Sequence, residues 1–212
     1  LYIWAVNAGR ILETSLGYYI NPLVSMLFGM LFFGERLRRA QKLAIAVAAA
    51  GVCIQIITIR EIPLVSLGLA LSFGLYGAMK KAISIEPAVA LVIETLSVAP
   101  AALAYLCWLQ HTGAAHFPYA LTTDLLLAGT GVMTSVPLLL FAYAAQRIKL
   151  TTIGFIQYVS PTMTFLIGTF IYHEPLSIYR IITFACIWSA LAVYSADTLI
   201  EAGRERRTQE YI

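Results

Sequence analysis

Tyr19–Leu37 reads YINPLVSMLFGMLFFGERL, and 139 residues later Tyr158–Leu176 reads YVSPTMTFLIGTFIYHEPL. Both carry Pro-x6-Gly-x5-Glu-x-Leu: Pro22, Gly29, Glu35 and Leu37 in one copy, Pro161, Gly168, Glu174 and Leu176 in the other. Leu27 matches Leu166 in the same register, and Ala46 matches Ala185 beyond it. Identical spacing of a helix-bending Pro, a small Gly and a terminal acid in two apolar stretches indicates an internal repeat. In a hydrophobic chain such a repeat is a sign of two related halves.

The 212 residues are 60% hydrophobic and 12% charged, with a mean hydropathy of +0.81. Soluble domains carry about 25% charged residues. So little polar material cannot cover a water-facing surface, so the bilayer must be the solvent and membrane lipid a partner. The pI near 8.8 therefore gives no reason to expect a nucleic-acid partner. Cys53, Cys107 and Cys186 are odd in number, far apart and in apolar runs, which makes them packing residues rather than a disulfide framework. His111, His116 and His173 are too scattered for a metal site, and no cofactor is expected.

Seven full apolar spans are expected, near 14–34, 40–59, 62–83, 87–109, 123–146, 151–172 and 178–200, after a partial one at 1–8. Each matches the ~20 residues that a helix needs to cross ~30 Å of hydrocarbon. Strand-type alternation is absent, which argues against a membrane β-barrel. With alternate loops on opposite sides, eleven of the Lys and Arg residues fall on one side and three (Arg10, Arg60, Arg180) on the other. The positive-inside rule puts the eleven, and the C-terminus, in the cytoplasm. An odd number of helices separates the two motifs, so the two copies are inverted. The expected fold is an all-α membrane protein, a multi-span bundle of inverted repeats. The chain starts at Leu1 inside an apolar run, and at the same offset the helices near 62–110 would have counterparts before residue 1; a longer protein is expected.

GRILETSLGYYINPLVSMLFGMLFFGERLRRAQ, LVIETL, and GTGVMTSVPLLLFAYAAQRIKLTTIGFIQYVSPTMTFLIG followed by YHEPL resemble the RarD permeases. These belong to the EamA group of the drug/metabolite transporter superfamily, and the family's name reflects a link to chloramphenicol sensitivity. The resemblance implies ten helices in two inverted five-helix halves, in a bacterial inner (plasma) membrane. Residues 1–60 would then end the first half, 61–200 form the second and 201–212 a polar cytoplasmic tail. It also implies a permease; with the inverted pair, the expectation is transport of a small organic solute by alternating access, with protons as the candidate coupling ion.

Glu94 is the foremost candidate for coupling or substrate binding. A carboxylate about seven residues into a span must face protein or water and be paired or protonated. Burial raises proton affinity, which suits coupling; the alternative is a structural bond to a neighbouring helix. Pro22 and Pro161 each remove a backbone donor and bend their helices, and such bends are tolerated only against protein or water. Tyr18, Tyr19 and Asn21 in one copy, and Gln157, Tyr158 and Ser160 in the other, lie within a turn of the bends. They are candidate cavity residues, with helix packing as the alternative. Thr134, Ser135 and Pro137 form a third polar kink, with Thr134 and Ser135 as further candidate cavity residues and bonds to their own helix as the alternative. Gly68, Ser72, Gly74 and Gly77 read as a packing face, with Tyr76 a further cavity candidate.

A secondary transporter is the leading function class. Neither a Walker motif nor a Gly-rich phosphate loop occurs, so direct ATP coupling has no support. An enzyme would need a convergent catalytic set within the spans, and none is visible; no enzymatic role is expected. A seven-helix photoreceptor would need a Lys in the span 178–200, which has none. A non-transporting scaffold or sensor remains the alternative. The charge count predicts that green fluorescent protein fused to the C-terminus will fluoresce in a bacterial host and that alkaline phosphatase fused there will be inactive. The reverse pattern would invert the topology.

Overall fold

The computed structural model describes residues 1–8, 11–59, 64–113, 121–171 and 177–210. Among them are nine helices and no strand: α1 Tyr2–Asn7, α2 Ile11–Phe33, α3 Arg39–Ile59, α4 Leu64–Ala82, α5 Pro87–His111, α6 Leu121–Arg147, α7 Leu150–Gln157, α8 Val159–Phe170 and α9 Ile178–Glu210. Arg10, Arg60, His116, His173, Glu174 and Leu176 lie outside the described residues.

Six stretches are long and apolar enough to cross a membrane: Thr14–Phe33, Arg39–Thr58, Pro87–His111, Leu121–Arg147, Leu150–Ile167 and Ile178–Glu201. This makes the chain a multi-pass membrane protein. The expected seventh span, near 62–83, does form a helix, α4, but the described part falls short in apolar character. Lys80 and Lys81 occupy its last turn, and its Ser and Gly residues dilute the rest. The span expected near 151–172 is also not one helix. Pro161 has no N–H, so the Gln157 carbonyl loses its helical donor. The Tyr158 N–H donates instead to Phe155 O, three residues back, at 3.2 Å, and α8 starts afresh from Tyr158. By contrast α2, α5 and α6 run unbroken through Pro22, Pro100 and Pro137.

The chain divides into two compact units, Leu1–Ala78 with Ile148–Ile212, and Met79–Arg147. In the first unit α2 packs against α7, and the contacts run in opposite order along the two helices. Ser25 Oγ donates to Gln157 Oε1 at 3.1 Å. A Cβ on Gly154 would meet Met26 Cγ and the Pro22 carbonyl oxygen at 2.7 Å, and one on Gly29 would meet the Thr151 nitrogen at 3.1 Å. Helices α3 and α9 are antiparallel in the same way. Thr183 Oγ1 donates to Gly51 O at 3.1 Å, and at the other end Arg38 Nε donates to Asp197 Oδ2 at 2.7 Å. That bond is the first cause of a raised Arg38 pKa, so the guanidinium stays charged. At the repeat offset, Thr183 corresponds to Ala44 and Gly51 to Ala190. Ala44 and Ala190 both lie in one buried cluster with Met26, Phe155, Tyr158, Ile187 and Tyr194.

The repeated Gly and Glu act together in the first copy. Gly34, at φ +61, turns the chain back after α2, a conformation that a side chain would disfavour. Glu35 then donates its N–H to Gly29 O at 3.2 Å. Its carboxylate accepts from the Leu150 N–H at 2.7 Å and the Thr151 N–H at 2.9 Å. These are two of the donors that the start of a helix leaves unmet, and the negative charge suits the positive end of the helix dipole. A Cβ on Gly29 would sit 2.7 Å from Glu35 Oε2, so only Gly leaves room for the carboxylate.

Helices α5 and α6 bury only 6% of their span residues within the described structure. Leu96, Leu103, Leu126 and Met133 stand exposed along them, as residues facing acyl chains would.

Gly154→Ala is expected to destabilise the α2–α7 contact by about 1–3 kcal/mol, because the clash is partly with a backbone oxygen that cannot rotate away. Gly129→Ala, where a Cβ would meet nothing within 4 Å, should be neutral or slightly stabilising. Thermal unfolding of the two variants in detergent checks this; equal melting points would contradict the packing described.

Candidate functional site

The last turn of α4 carries Lys80, the chain reverses over 83–86, and α5 begins at Pro87, a residue suited to the first helical position. Glu94 lies about 10 Å along α5 at 1.5 Å per residue. Lys80 Nζ and Glu94 Oε1 are 2.6 Å apart, with the lysine side chain 2% exposed and the glutamate 43%. Burial of an ammonium group demands a charged partner, and Glu94 supplies one. The same reversal is tied to α6. Gln146 Nε2 donates to the Ile83 and Ile85 carbonyls at 3.0 and 2.8 Å, and Tyr143 OH donates to Glu86 Oε1 at 3.2 Å. The Arg147 guanidinium lies 4.9 Å from the centre of the Tyr143 ring.

In the first unit α1, α2 and α4 line a half-open cavity of ≈ 350 Å³. Ile3, Leu69 and Phe73 give apolar walls; Tyr2, Thr14, Tyr18 and Asn21 bring the polar groups. Gly17 lets α4 approach, since a Cβ there would meet Leu69 Cβ at 3.3 Å. The Tyr2 and Tyr18 rings meet edge-on with centroids 6.1 Å apart. Asn21 Oδ1 is buried with no hydrogen-bond partner among the described residues.

Of the residues singled out in the sequence, Tyr18 and Asn21 come together in this cavity, and Tyr76 lies beside its Phe73 wall, ring centroids 6.1 Å apart. The others do not join them. Tyr19 packs edge-on against Phe184 at 5.6 Å, and Gln157 accepts the Ser25 bond. Tyr158 is fully buried in the core. Pro22 is buried as well, its carbonyl facing Gly154, so this bend faces protein and not a cavity. Pro161 is buried, while Ser160 is exposed beside it. Thr134, Ser135 and Pro137 are exposed on α6, and Thr134 Oγ1 returns to Thr130 O of its own helix at 2.8 Å. Among the described residues no three His, Cys, Asp or Glu side chains come together as metal ligands.

Three participants escaped the sequence reading. Lys80 was absorbed into the topological charge count, although a pair 14 residues apart across a tight helix reversal falls within reach. Thr14 was passed over, although Thr14, Gly17, Tyr18 and Asn21 recur at i, i+3, i+4 and i+7, one face of a helix. Tyr2 had no pattern to reveal it.

Residues 62–196 match the model of the EamA-like transporter family. The chain belongs to that family. Among the relatives of this EamA-family chain are an uncharacterized transporter of Vibrio cholerae, 46% identical over 99% of the chain and 70% of the relative, and the uncharacterized transporter YojE of Bacillus subtilis, 51% identical over 92% and 65%. The protein RarD of Escherichia coli is 43% identical over 99% of the chain and 70% of its own length. The EamA-family chain thus spans about two thirds of the length of the relatives it matches.

For the ion pair, a double-mutant cycle with Lys80→Gln and Glu94→Gln is expected to give a coupling of about 1–3 kcal/mol, between the values for exposed and fully buried pairs. The double variant should unfold at a higher temperature than Lys80→Gln alone, which leaves Glu94 without this cation. Additive single effects in detergent unfolding would show the two groups to be independent.

Proposed function

We propose that the protein containing this chain is a secondary transporter, a permease that carries a small organic solute across a bacterial inner membrane by alternating access. Membership of the EamA-like transporter family supports a membrane transporter. The observation that carries the finer reading is the antiparallel pairing of the two repeat copies, α2 against α7 and α3 against α9. Two inverted elements around a shared contact give each half an equivalent motion toward its own side of the membrane. In this reading residues 1–60 complete the first half, 61–200 form the second and 201–212 lie in the cytoplasm.

Glu94 is the proposed proton-carrying group. Protonation of its carboxylate removes the charge that faces Lys80 and changes the balance of that contact, so occupancy by a proton and conformation are linked. The cavity beside Asn21 and Tyr18 is the proposed solute site.

Reconstitution of the full-length protein in liposomes tests this. Flux of candidate solutes should rise with an inward proton gradient, and Glu94→Gln should abolish that dependence. Flux that ignores the gradient and survives Glu94→Gln would leave a facilitator with Glu94 as structure. Failure of every solute in a broad metabolite and drug set would favour a non-transporting scaffold.

A further inference from the structure

We propose that the cavity between α1, α2 and α4 selects uncharged aromatic solutes bearing a hydrogen-bond donor. The inference rests on the permease reading above and names its substrate class. Three observations carry it. First, the ≈ 350 Å³ volume lies at the lower end of small-molecule sites, enough for one or two fused rings. Second, Tyr2, Tyr18 and Phe73 present ring faces and edges, while Ile3 and Leu69 close the rest with aliphatic surface. Third, among the described residues the lining carries no carboxylate, ammonium, guanidinium or imidazole group; its polar groups are the Tyr2 and Tyr18 phenols, the Thr14 hydroxyl and the Asn21 amide.

That lining discriminates by charge. A carboxylate or ammonium entering it would leave water without an opposite charge to meet, and aromatic faces compensate only in part for a cation. A neutral ring system loses little on entry and gains apolar contact with three aromatic residues. Asn21 then sets the polar requirement. Its Oδ1 is buried without a partner among the described residues, which is costly for an amide acceptor. A solute hydroxyl or amide N–H that reaches Asn21 can donate to this oxygen. The solute thereby satisfies an acceptor that the fold leaves unmet, and an analogue without a donor does not.

The test uses the full-length protein in nanodiscs at pH 8, with empty nanodiscs as the partition control. The probe is tritiated 2-naphthaleneethanol, and the competitors are 2-naphthaleneacetate and 2-(2-naphthyl)ethylamine, which share its ring and carry opposite charges. Saturable binding of the alcohol is expected, with both charged analogues at least tenfold weaker. Asn21→Leu should weaken the alcohol about tenfold, and Ser189→Ala, on the exposed face of α9, should leave it unchanged. Asn21→Asp, nearly the same in size, should shift preference toward the amine. Equal competition by either charged analogue on the unaltered protein would overturn the proposal, as would an unchanged order in Asn21→Asp or no saturable binding of the alcohol. Because binding is read without flux, gradient-driven transport without this binding would sink the cavity assignment alone. Binding without any transport would sink the permease reading and leave the cavity's selectivity standing.

Discussion

Glu35 reaches from the turn after α2 to the first two backbone amides of α7, and the arrangement of the first unit follows from that contact. Helices in lipid gain little from hydrophobic burial, since acyl chains are as apolar as their side chains. Association has to come from close packing and from hydrogen bonds between helices. Gly29 and Gly154 supply the first by removing side chains where α2 and α7 meet. Glu35 and the Ser25–Gln157 bond supply the second. Helix α7 is short because Pro161 ends it, so a cap on its first turn acts on a large fraction of its unmet donors. The pairing of α3 with α9 continues the same logic, with Gly51 and Thr183 in contact and Arg38 bound to Asp197.

An apolar solvent makes every polar side chain an accounting problem, and this chain solves it in three ways. Many Ser and Thr residues return to their own helix; Thr95, Ser97, Thr164 and Ser189 each donate to a carbonyl four residues back. A few bind across helices, as Thr183 does to Gly51. Some ionisable groups meet opposite charges, as Lys80 does Glu94 and Arg38 does Asp197. The exceptions are then conspicuous. Asn21, Gln55, Thr151 and Tyr158 hold buried polar atoms without partners among the described residues, and of these only Asn21 lines the cavity.

Composition and periodicity made the class of fold legible, because six long apolar helices admit few other readings. In the first copy of the motif the contacts are carried by the Gly and the Glu more than by the Pro. Pro22 leaves its helix intact, whereas Pro161 interrupts its own, and nothing in the spacing distinguishes them; the packing of Gly154 against Pro22 does. Side-chain partners were the least legible. Glu94 stood out as an acid in an apolar run, but Lys80 looked like any cytoplasmic loop residue until the reversal at 83–86 brought it back. Polar residues beside a bend divided between cavity and core according to helix face, so Tyr18 and Tyr19, adjacent in sequence, point to different environments.

The Glu35 contact also bears on how the chain is made. The carboxylate and its amide partner on Leu150 are 115 residues apart, and Arg38 and its partner Asp197 are separated by 159. At roughly 5–20 residues per second, the ribosome needs on the order of ten seconds to deliver α7 after α2. During that interval α2 and α3 sit in the membrane with their polar contacts unmade. The early spans thus wait in the membrane, held by insertion and by their packing around Leu16, Ile20, Val52 and Ala70, and synthesis of the last two spans is the event that locks them.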